Sequence, residues 1–274
     1  MPKVWFVTGS SRGLGRHIVE AALEAGDQVV ATARHPEDLN DLVTAFDDKV
    51  LPLALDVTDM HAVGEAIKQG LDRFGKLDVV VNNAGYANTA SVEDIEIDDF
   101  TRQVMTNFFG VVYVSKAAAP ILRAQGYGHI IQIASIGSRI ASVGLSAYQS
   151  AKFAVRGFSL VLAQELAPLG VKVTTLQPGG IRTDWAGASM QVYPPTPPYE
   201  QTVGAFSRFL RENSGRESSH PKKIAEVVLT IADMEHPPTE LLLGVDAVQY
   251  GRAAAEAVMA SDVKWYDLSV CVSG

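Results

Sequence analysis

Cysteine is nearly absent. Cys271 is the only one in 274 residues, so no disulfide can form within the chain, and a reducing compartment fits. The six histidines (His17, His35, His61, His129, His220 and His236) are scattered, with no H-E-x-x-H pair and no cysteine partners. No metal-ligand spacing results, and no metal site is expected. Positive charge is in deficit: 23 Lys and Arg against 31 Asp and Glu give a net charge of −8. Such a surface repels phosphate backbones, which removes nucleic acid from the expected partners. Long hydrophobic runs are missing too. The N-terminal MPKVWFVTGS enters a strand-like pattern without the charged and apolar regions of a secretory signal. These absences point to a soluble cytoplasmic protein with no membrane partner. Neither a repeat at a solenoid period nor a low-complexity linker divides the chain, whose length suits one α/β domain over residues 1–274.

What is present is an alternation. Short β-rich runs occupy residues 3–8, 28–33, 50–55, 77–82, 128–134, 171–177 and 240–244, and stretches of helical period lie between most of them. In LGRHIVEAALEAG (14–26), Leu14, Ile18, Ala22 and Ala25 share a face and Gly26 stops the helix. Strand–helix repetition with Val- and Ile-rich strands predicts a parallel sheet covered on both faces. Right-handed crossovers make it doubly wound.

Ligands of such sheets lie beyond the carboxyl ends of the strands, so the residues after each run carry the functional reading. TGSSRGLG (8–15) follows the first. Gly9, Gly13 and Gly15 permit close backbone approach at a helix N-terminus, whose free N–H groups suit a pyrophosphate. The spacing is G-x-x-x-G-x-G rather than G-x-G-x-x-G, and a plain tight turn would use the same residues. GSSRG (9–13) also matches the nucleophile elbow of hydrolases, with Ser11 as nucleophile. That chemistry needs oxyanion donors from an earlier loop, and almost no chain precedes Gly9. After the second run, Ala33 stands where an NAD site places an acid for the ribose 2′-hydroxyl. Arg34 follows it and Arg12 lies in the glycine loop. Two guanidiniums without a carboxylate suit a 2′-phosphate and favour NADP over NAD. Asp56, after the third run, can accept from an adenine amino group, while Asp59, three residues ahead of Ala62, reads as a helix N-cap. In NNAG (82–85), Asn82 can tie backbone strands together and Gly85 lets the chain pass flat against a cofactor. Ser135 ends the fifth run. Pro178 and Gly179 stop the sixth, and Thr183 beyond them can contact a nicotinamide amide. SAYQSAKFAV (146–155) sets Tyr148 and Lys152 four residues apart. Alone this pair is weak evidence, since chance gives roughly 0.3 such matches in a chain of this composition. A packed Tyr ring with a snorkelling Lys would explain it equally.

Taken together and in this order, these motifs resemble the short-chain dehydrogenase/reductase family in its compact form: T-G-x-x-x-G-x-G from Thr8 to Gly15, N-N-A-G from Asn82 to Gly85, Ser135, Y-x-x-x-K at Tyr148 and Lys152, and P-G at Pro178 and Gly179. The likeness covers about residues 3 to 185 and a strand near 240. It implies a single-domain Rossmann-type, doubly wound parallel sheet of about seven strands. It also implies an NADP(H)-dependent oxidoreductase, a carbonyl reductase or alcohol dehydrogenase, interconverting a ketone or aldehyde and an alcohol. The implied catalytic set is Asn107, Ser135, Tyr148 and Lys152, with Asn107 breaking its helix locally and holding a water. The implied cofactor contacts are Gly9, Ser11, Arg12, Gly13, Leu14, Gly15, Arg34, Asp56, Val57, Asn83, Ala84, Gly85, Tyr148, Lys152, Pro178, Gly179, Ile181 and Thr183. A phenol ordinarily titrates near 10. Tyr148 and Lys152 lie one helical turn apart on one face, and a close ammonium is expected to lower the phenol by roughly 1–3 units. In reduction, Ser135 and Tyr148 would bond the carbonyl oxygen and Tyr148 would supply the proton. Two other readings of the same fold stay open: a non-catalytic NADP-binding regulator, and a relative of the longer sugar-nucleotide enzymes that share Y-x-x-x-K.

The segment 185–215 carries Trp185, Met190, Tyr193, Tyr199, Phe206 and Phe209 and follows the sixth strand. It is expected to be a partly helical lid for an apolar small-molecule substrate, unless its aromatics pack on a neighbouring subunit. The resemblance implies a homodimer or homotetramer built on helices near 100–125 and 147–168. Residues 245–274 form a helical extension that docks on the core or on a partner. The acidic stretch 93–99 is expected to be a solvated helix start.

Overall fold

The structure, a computed structural model, describes residues 2–187 and 189–273. Each β-rich run becomes a strand: β1 (Val4–Thr8), β2 (Gln28–Ala33), β3 (Val50–Ala54), β4 (Val79–Asn82), β5 (Gly128–Ile133), β6 (Val171–Pro178) and β7 (Glu240–Leu243). They pair in parallel, in the order β3-β2-β1-β4-β5-β6-β7. β4 starts later than the run at 77, although Asp78 already bonds to β1 and β5. Its carboxylate accepts from Val4 N at 2.6 Å and its carbonyl from His129 N at 2.9 Å. The helices are α1 (Gly13–Glu24), α2 (Asn40–Phe46), α3 (Met60–Phe74), α4 (Ile97–Val104), α5 (Gly110–Gln125), α6 (Ser146–Leu166), α7 (Ala205–Asn213), α8 (Pro221–Asp233), α9 (Val245–Lys264) and α10 (Tyr266–Val270).

Alternation along the strands feeds two cores. Trp5 and Val7 face one side with Val29, Ala31 and Val81, covered by α1 and α8 through Ile18, Leu23, Val228 and Ile231. Phe6 faces the other with Val30, Val80 and Ile130, covered by α3, α5 and α6 through Ile67, Leu122 and Leu162. Strands buried on both faces are what a Val- and Ile-rich parallel sheet requires. The cap on α3 is as the sequence predicts: the Asp59 carboxylate accepts from His61 N at 2.9 Å and Ala62 N at 3.0 Å.

One element departs from the sequence reading. α4, a π-helical turn at Met105–Phe109 and α5 run on as a single helix, Ile97–Gln125, whose 29 residues are long and apolar enough to cross a membrane. Asp98, Asp99, Arg102 and Lys116 interrupt its apolar pattern, so no long run shows in the sequence. In the fold, Val114, Ala118 and Leu122 lie against the sheet.

Candidate active site

The strand order reverses between β1 and β4, and a cleft of about 1100 Å³ opens there at the strands' carboxyl ends. Gly9, Ser11, Arg12, Gly13 and Leu14 line it from the glycine loop, and Arg34, Asp56 and Val57 from the ends of β2 and β3. Asn83, Ala84 and Gly85 contribute after β4, and Pro178, Gly179, Ile181 and Thr183 at and after the end of β6. Asn107, Ser135, Tyr148 and Lys152 line the same cleft. Gly15 does not: it is buried in the first turn of α1, where a Cβ would overlap the Gly9 carbonyl and the Asn83 amide. Its missing side chain brings helix and loop together rather than touching a ligand.

The floor of the cleft is a clamp between β1 and β4. Asn83 Nδ2 donates to the carbonyls of Thr8 and Gly9, both at 3.0 Å, and the Thr8 hydroxyl accepts from the N–H groups of Asn83 and Ala84, both at 3.0 Å. Asn82, expected in this role, instead donates to Gln132 Oε1 at 2.8 Å and Ser115 Oγ at 3.3 Å, joining side chains between β4, β5 and α5. At the far end of the cleft Arg12 and Arg34 are exposed, and among the described residues neither has a carboxylate partner. Arg16, by contrast, is held by Glu20 and Asp41. One oxygen of Asp56 accepts from Thr58 N at 2.9 Å and Thr58 Oγ1 at 2.7 Å.

Asn107 sits where the long helix widens into its π turn, with Gly110 N bonded to Met105 O. Its Nδ2 donates to the carbonyls of Gln103 (2.9 Å) and Tyr86 (2.8 Å), and its Oδ1 accepts from Tyr86 N (3.2 Å). The side chain thus satisfies a carbonyl that the wider turn frees, consistent with π turns at functional positions. A Cβ on Gly85 would stand 2.5 Å from Asn107 Oδ1 and 3.6 Å from Lys152 Nζ, so both groups approach over that glycine.

Lys152 is 4 % exposed and donates to the Ile133 carbonyl at 2.8 Å; burial pushes its ammonium down to about 8. Its Nζ lies 5.6 Å from the centre of the Tyr148 ring. The expected lowering of the phenol is not found. Burial pushes Tyr148 up to about 12, offset in part by a hydrogen bond with Ser135. The reason is desolvation, which dominates both groups, while the ammonium donates to the Ile133 carbonyl. A phenol in that state is a proton donor at neutral pH. Ser135 presents its hydroxyl from the extended cap of a short turn at Ile136–Ser138, accepting from Gly137 N at 3.0 Å. Trp185 stands 5.3 Å from Tyr148, ring centre to ring centre, and Leu145, Ala186 and Met190 complete an apolar wall around the phenol. Val192, Phe206 and Leu210 pack behind that wall, whereas Phe209 is 56 % exposed. The segment is part helical, as expected, with a π turn at Glu200–Gly204 leading into α7.

Three supports escape the sequence reading. Asp99 is not a solvated helix start but is buried, accepting from Asn88 Nδ2 at 2.9 and 3.0 Å and from Gln103 Nε2 at 3.0 Å. Asp246, in the first turn of α9, accepts from Gly180 N at 2.8 Å and fixes the turn after β6. Glu240 opens β7 and accepts from Arg156 of α6 at 2.5 Å and from Gln177 at 2.6 Å, while Arg139, just past the Ser135 turn, donates to Gln177 at 2.5 Å. Only a helix-terminal acid at Asp246 and an alternating amide–acid pattern at Asn88, Asp99 and Gln103 hint at these partners.

Residues 3–192 match the model of the short chain dehydrogenase family, and the chain belongs to that family of oxidoreductases. It is 60% identical over 271 residues to oxidoreductase BOA17 of Botryotinia fuckeliana, covering 98% of this chain and 99% of the relative. The crystal structure of a short-chain dehydrogenase from Streptomyces avermitilis superposes with a TM-score of 0.92 at 35% identity, covering 98% of each chain. An alcohol dehydrogenase from Thermococcus sibiricus, complexed with 5-hydroxy-NADP, gives a TM-score of 0.74 at 27% identity over 89% of this chain and 97% of that one.

Proposed function

We propose that the protein is an NADP(H)-dependent carbonyl reductase or alcohol dehydrogenase acting on an apolar ketone, aldehyde or alcohol. One observation carries this reading: Ser135, Tyr148, Lys152 and Asn107 share a cleft with the glycine loop and with two guanidiniums that lack carboxylate partners among the described residues. Those residues fit a dinucleotide. The N-terminus of α1 offers free N–H groups to a pyrophosphate, and Arg12 and Arg34 offer forked donors to a 2′-phosphate. The Thermococcus enzyme's complex with an NADP derivative supports the same choice. When bound, the nicotinamide cofactor supplies or accepts a hydride.

The chain's own residues do the rest. The hydroxyls of Ser135 and Tyr148 line the same cleft, so a carbonyl oxygen placed between them receives two donors that strengthen as alkoxide charge develops. Tyr148, kept protonated by burial, transfers its proton to that oxygen. Lys152 and the Asn107 amide, facing each other over Gly85, hold the polar path by which the phenol is reprotonated. Leu145, Trp185, Ala186 and Met190 exclude water and favour apolar substituents, with the segment 185–215 as the lid.

Tyr148→Phe should lower turnover about 10²–10⁴-fold while leaving NADPH affinity, read by fluorescence titration, unchanged. Turnover retained in that variant overturns the proton-donor role. Arg34→Ala should weaken NADPH about 10- to 100-fold and NADH far less, as expected for loss of a charge-assisted hydrogen bond. Equal losses for both cofactors overturn the NADP preference.

A further inference from the structure

Gln149 follows the phenol on α6 and is 7 % exposed. The loop ahead of α6 orients its amide. Oε1 accepts from Ser142 N at 2.7 Å, and only the oxygen end of the amide can meet a backbone N–H. The nitrogen end is then fixed as well. Nε2 carries two hydrogens and donates one of them to Ser142 Oγ at 3.3 Å; the other has no acceptor among the described residues. An unmet donor in a buried place costs free energy until a partner meets it. Gln149 lines the cleft together with Ser135, Gly137 and Ser142. Gly137 marks the space that the amide borders. A Cβ there would stand 3.2 Å from Gln149 Nε2 and 3.3 Å from Ser135 Oγ, so a missing side chain keeps the space between these two groups open. Ser135 and Tyr148 suffice to hold one carbonyl oxygen, which leaves the amide without a task in the reaction.

We propose that Gln149 determines substrate choice: its uncommitted N–H holds a second, uncharged oxygen of the substrate, the ester or ketone oxygen of a 1,3-dicarbonyl compound. This rests on the carbonyl-reductase reading and names the substrate class of that same site. A 1,3-dicarbonyl can carry its two oxygens on one edge, spaced to reach donors that border one small space. The reacting oxygen takes the hydroxyls of Ser135 and Tyr148, the second oxygen takes the amide, and the carbon between the two carbonyls lies over Gly137. The ketone carbon gains the hydride of the reduced nicotinamide, which is thereby oxidised, and the ketone oxygen gains the Tyr148 proton. The second carbonyl is held but unchanged, so the product is a β-hydroxy ester or β-hydroxy ketone. Charge selects a neutral oxygen over a carboxylate. Gly137 and Ser142, beside the amide, are uncharged. Lys152 is committed to the Ile133 carbonyl, and Arg139 to Gln177 and Glu240. A carboxylate there would lose its water without gaining a cation. Beyond the two oxygens, the substrate meets Leu145, Trp185 and Met190 and is apolar.

The test is the ratio of kcat/KM for two ketones of equal chain length, ethyl 3-oxobutanoate and 2-heptanone, which differ in the ester group. Keto esters are intrinsically the more reactive, so the diagnostic quantity is the change of that ratio between proteins. Gln149→Leu should lower it about tenfold, the size expected for one neutral hydrogen bond. Gly137→Ala keeps the amide and its bonds to Ser142 but crowds the space between the donors, and should lower the ratio too. A loop or helix merely loosened by either substitution slows both ketones alike and leaves the ratio in place. A ratio unchanged in both variants, with both ketones turned over, overturns this inference and leaves the carbonyl-reductase reading standing. A wild type that turns over neither ketone with NADPH or NADH overturns that reading and this inference with it.

Discussion

His129 is neutral because of where it sits. It is 2 % exposed on β5. Its Nε2 lies 2.9 Å from the Thr174 hydroxyl, which itself donates to the Pro238 carbonyl, so the proton is on Nε2. Nδ1 has no partner among the described residues. Burial, with a smaller push from the Lys172 ammonium, moves the imidazole down to about 3. An unfolded histidine titrates near 6.5. Between those values the unfolded chain binds a proton that the folded chain refuses. Stability complete above pH 6.5 is therefore lost as pH falls toward 3, by about 2–3 kcal/mol at pH 4.5. His129→Gln should flatten that acid limb. Urea unfolding at pH 7 and 4.5 would show it, and parallel losses in both proteins would contradict it. The same desolvation governs Lys152 and Tyr148, and here the sequence misled. Spacing alone put an ammonium one turn from a phenol, but could not show that both would be buried or that the Ile133 carbonyl would accept from the ammonium.

At the scale of elements, Asp99 joins α4 to the loop after β4, and Asn88 passes that hold to the lid. Asn88 Oδ1 accepts from Gln191 N at 3.0 Å, and Thr89 continues the contact by donating to the Gln191 carbonyl at 2.9 Å and accepting from Tyr193 N at 2.9 Å. Met190, adjacent to Gln191, belongs to the wall around Tyr148. Burial and the nearby Asp99 carboxylate together hold the Tyr193 hydroxyl above its ordinary value. Asn88→Ala should therefore raise the substrate KM about tenfold, with kcat changed less than threefold and NADPH affinity unchanged. A fall in Tm with KM untouched would make the network structural only. Strand positions were legible because Val- and Ile-rich runs alternate with helical period, and the Asp59 cap was legible from its spacing to Ala62. The buried network was not, because Asp99 among acidic neighbours looks like a solvated helix start until the fold brings Asn88 beneath it. The π turn at Asn107 was legible only by family likeness, since a lone Asn in a helix signals nothing about widening.

Across the whole molecule, the doubly wound sheet and the order of the glycine loop, Ser135, Tyr148 and Lys152 were readable from the chain. Sites after strand ends converge wherever strands are parallel. Supports contributed from far along the sequence were not readable, because no local pattern links Gly180 to Asp246. That carboxylate also accepts from Ser218 at 2.9 Å. It therefore joins the turn after β6, the approach to α8 and the root of the tail. Asp246→Ala should weaken NADPH binding several-fold while leaving far-UV circular dichroism unchanged. An unaltered affinity would show that the turn holds its shape alone.

Asp246 also sets an order of events during synthesis. A ribosome delivers Ser135, Tyr148 and Lys152 long before it delivers residue 246, so the nascent polypeptide displays its reactive groups on an incomplete frame. Until residue 246 has emerged, the turn after β6 lacks the carboxylate that holds Gly180, and one rim of the cleft stands without its brace.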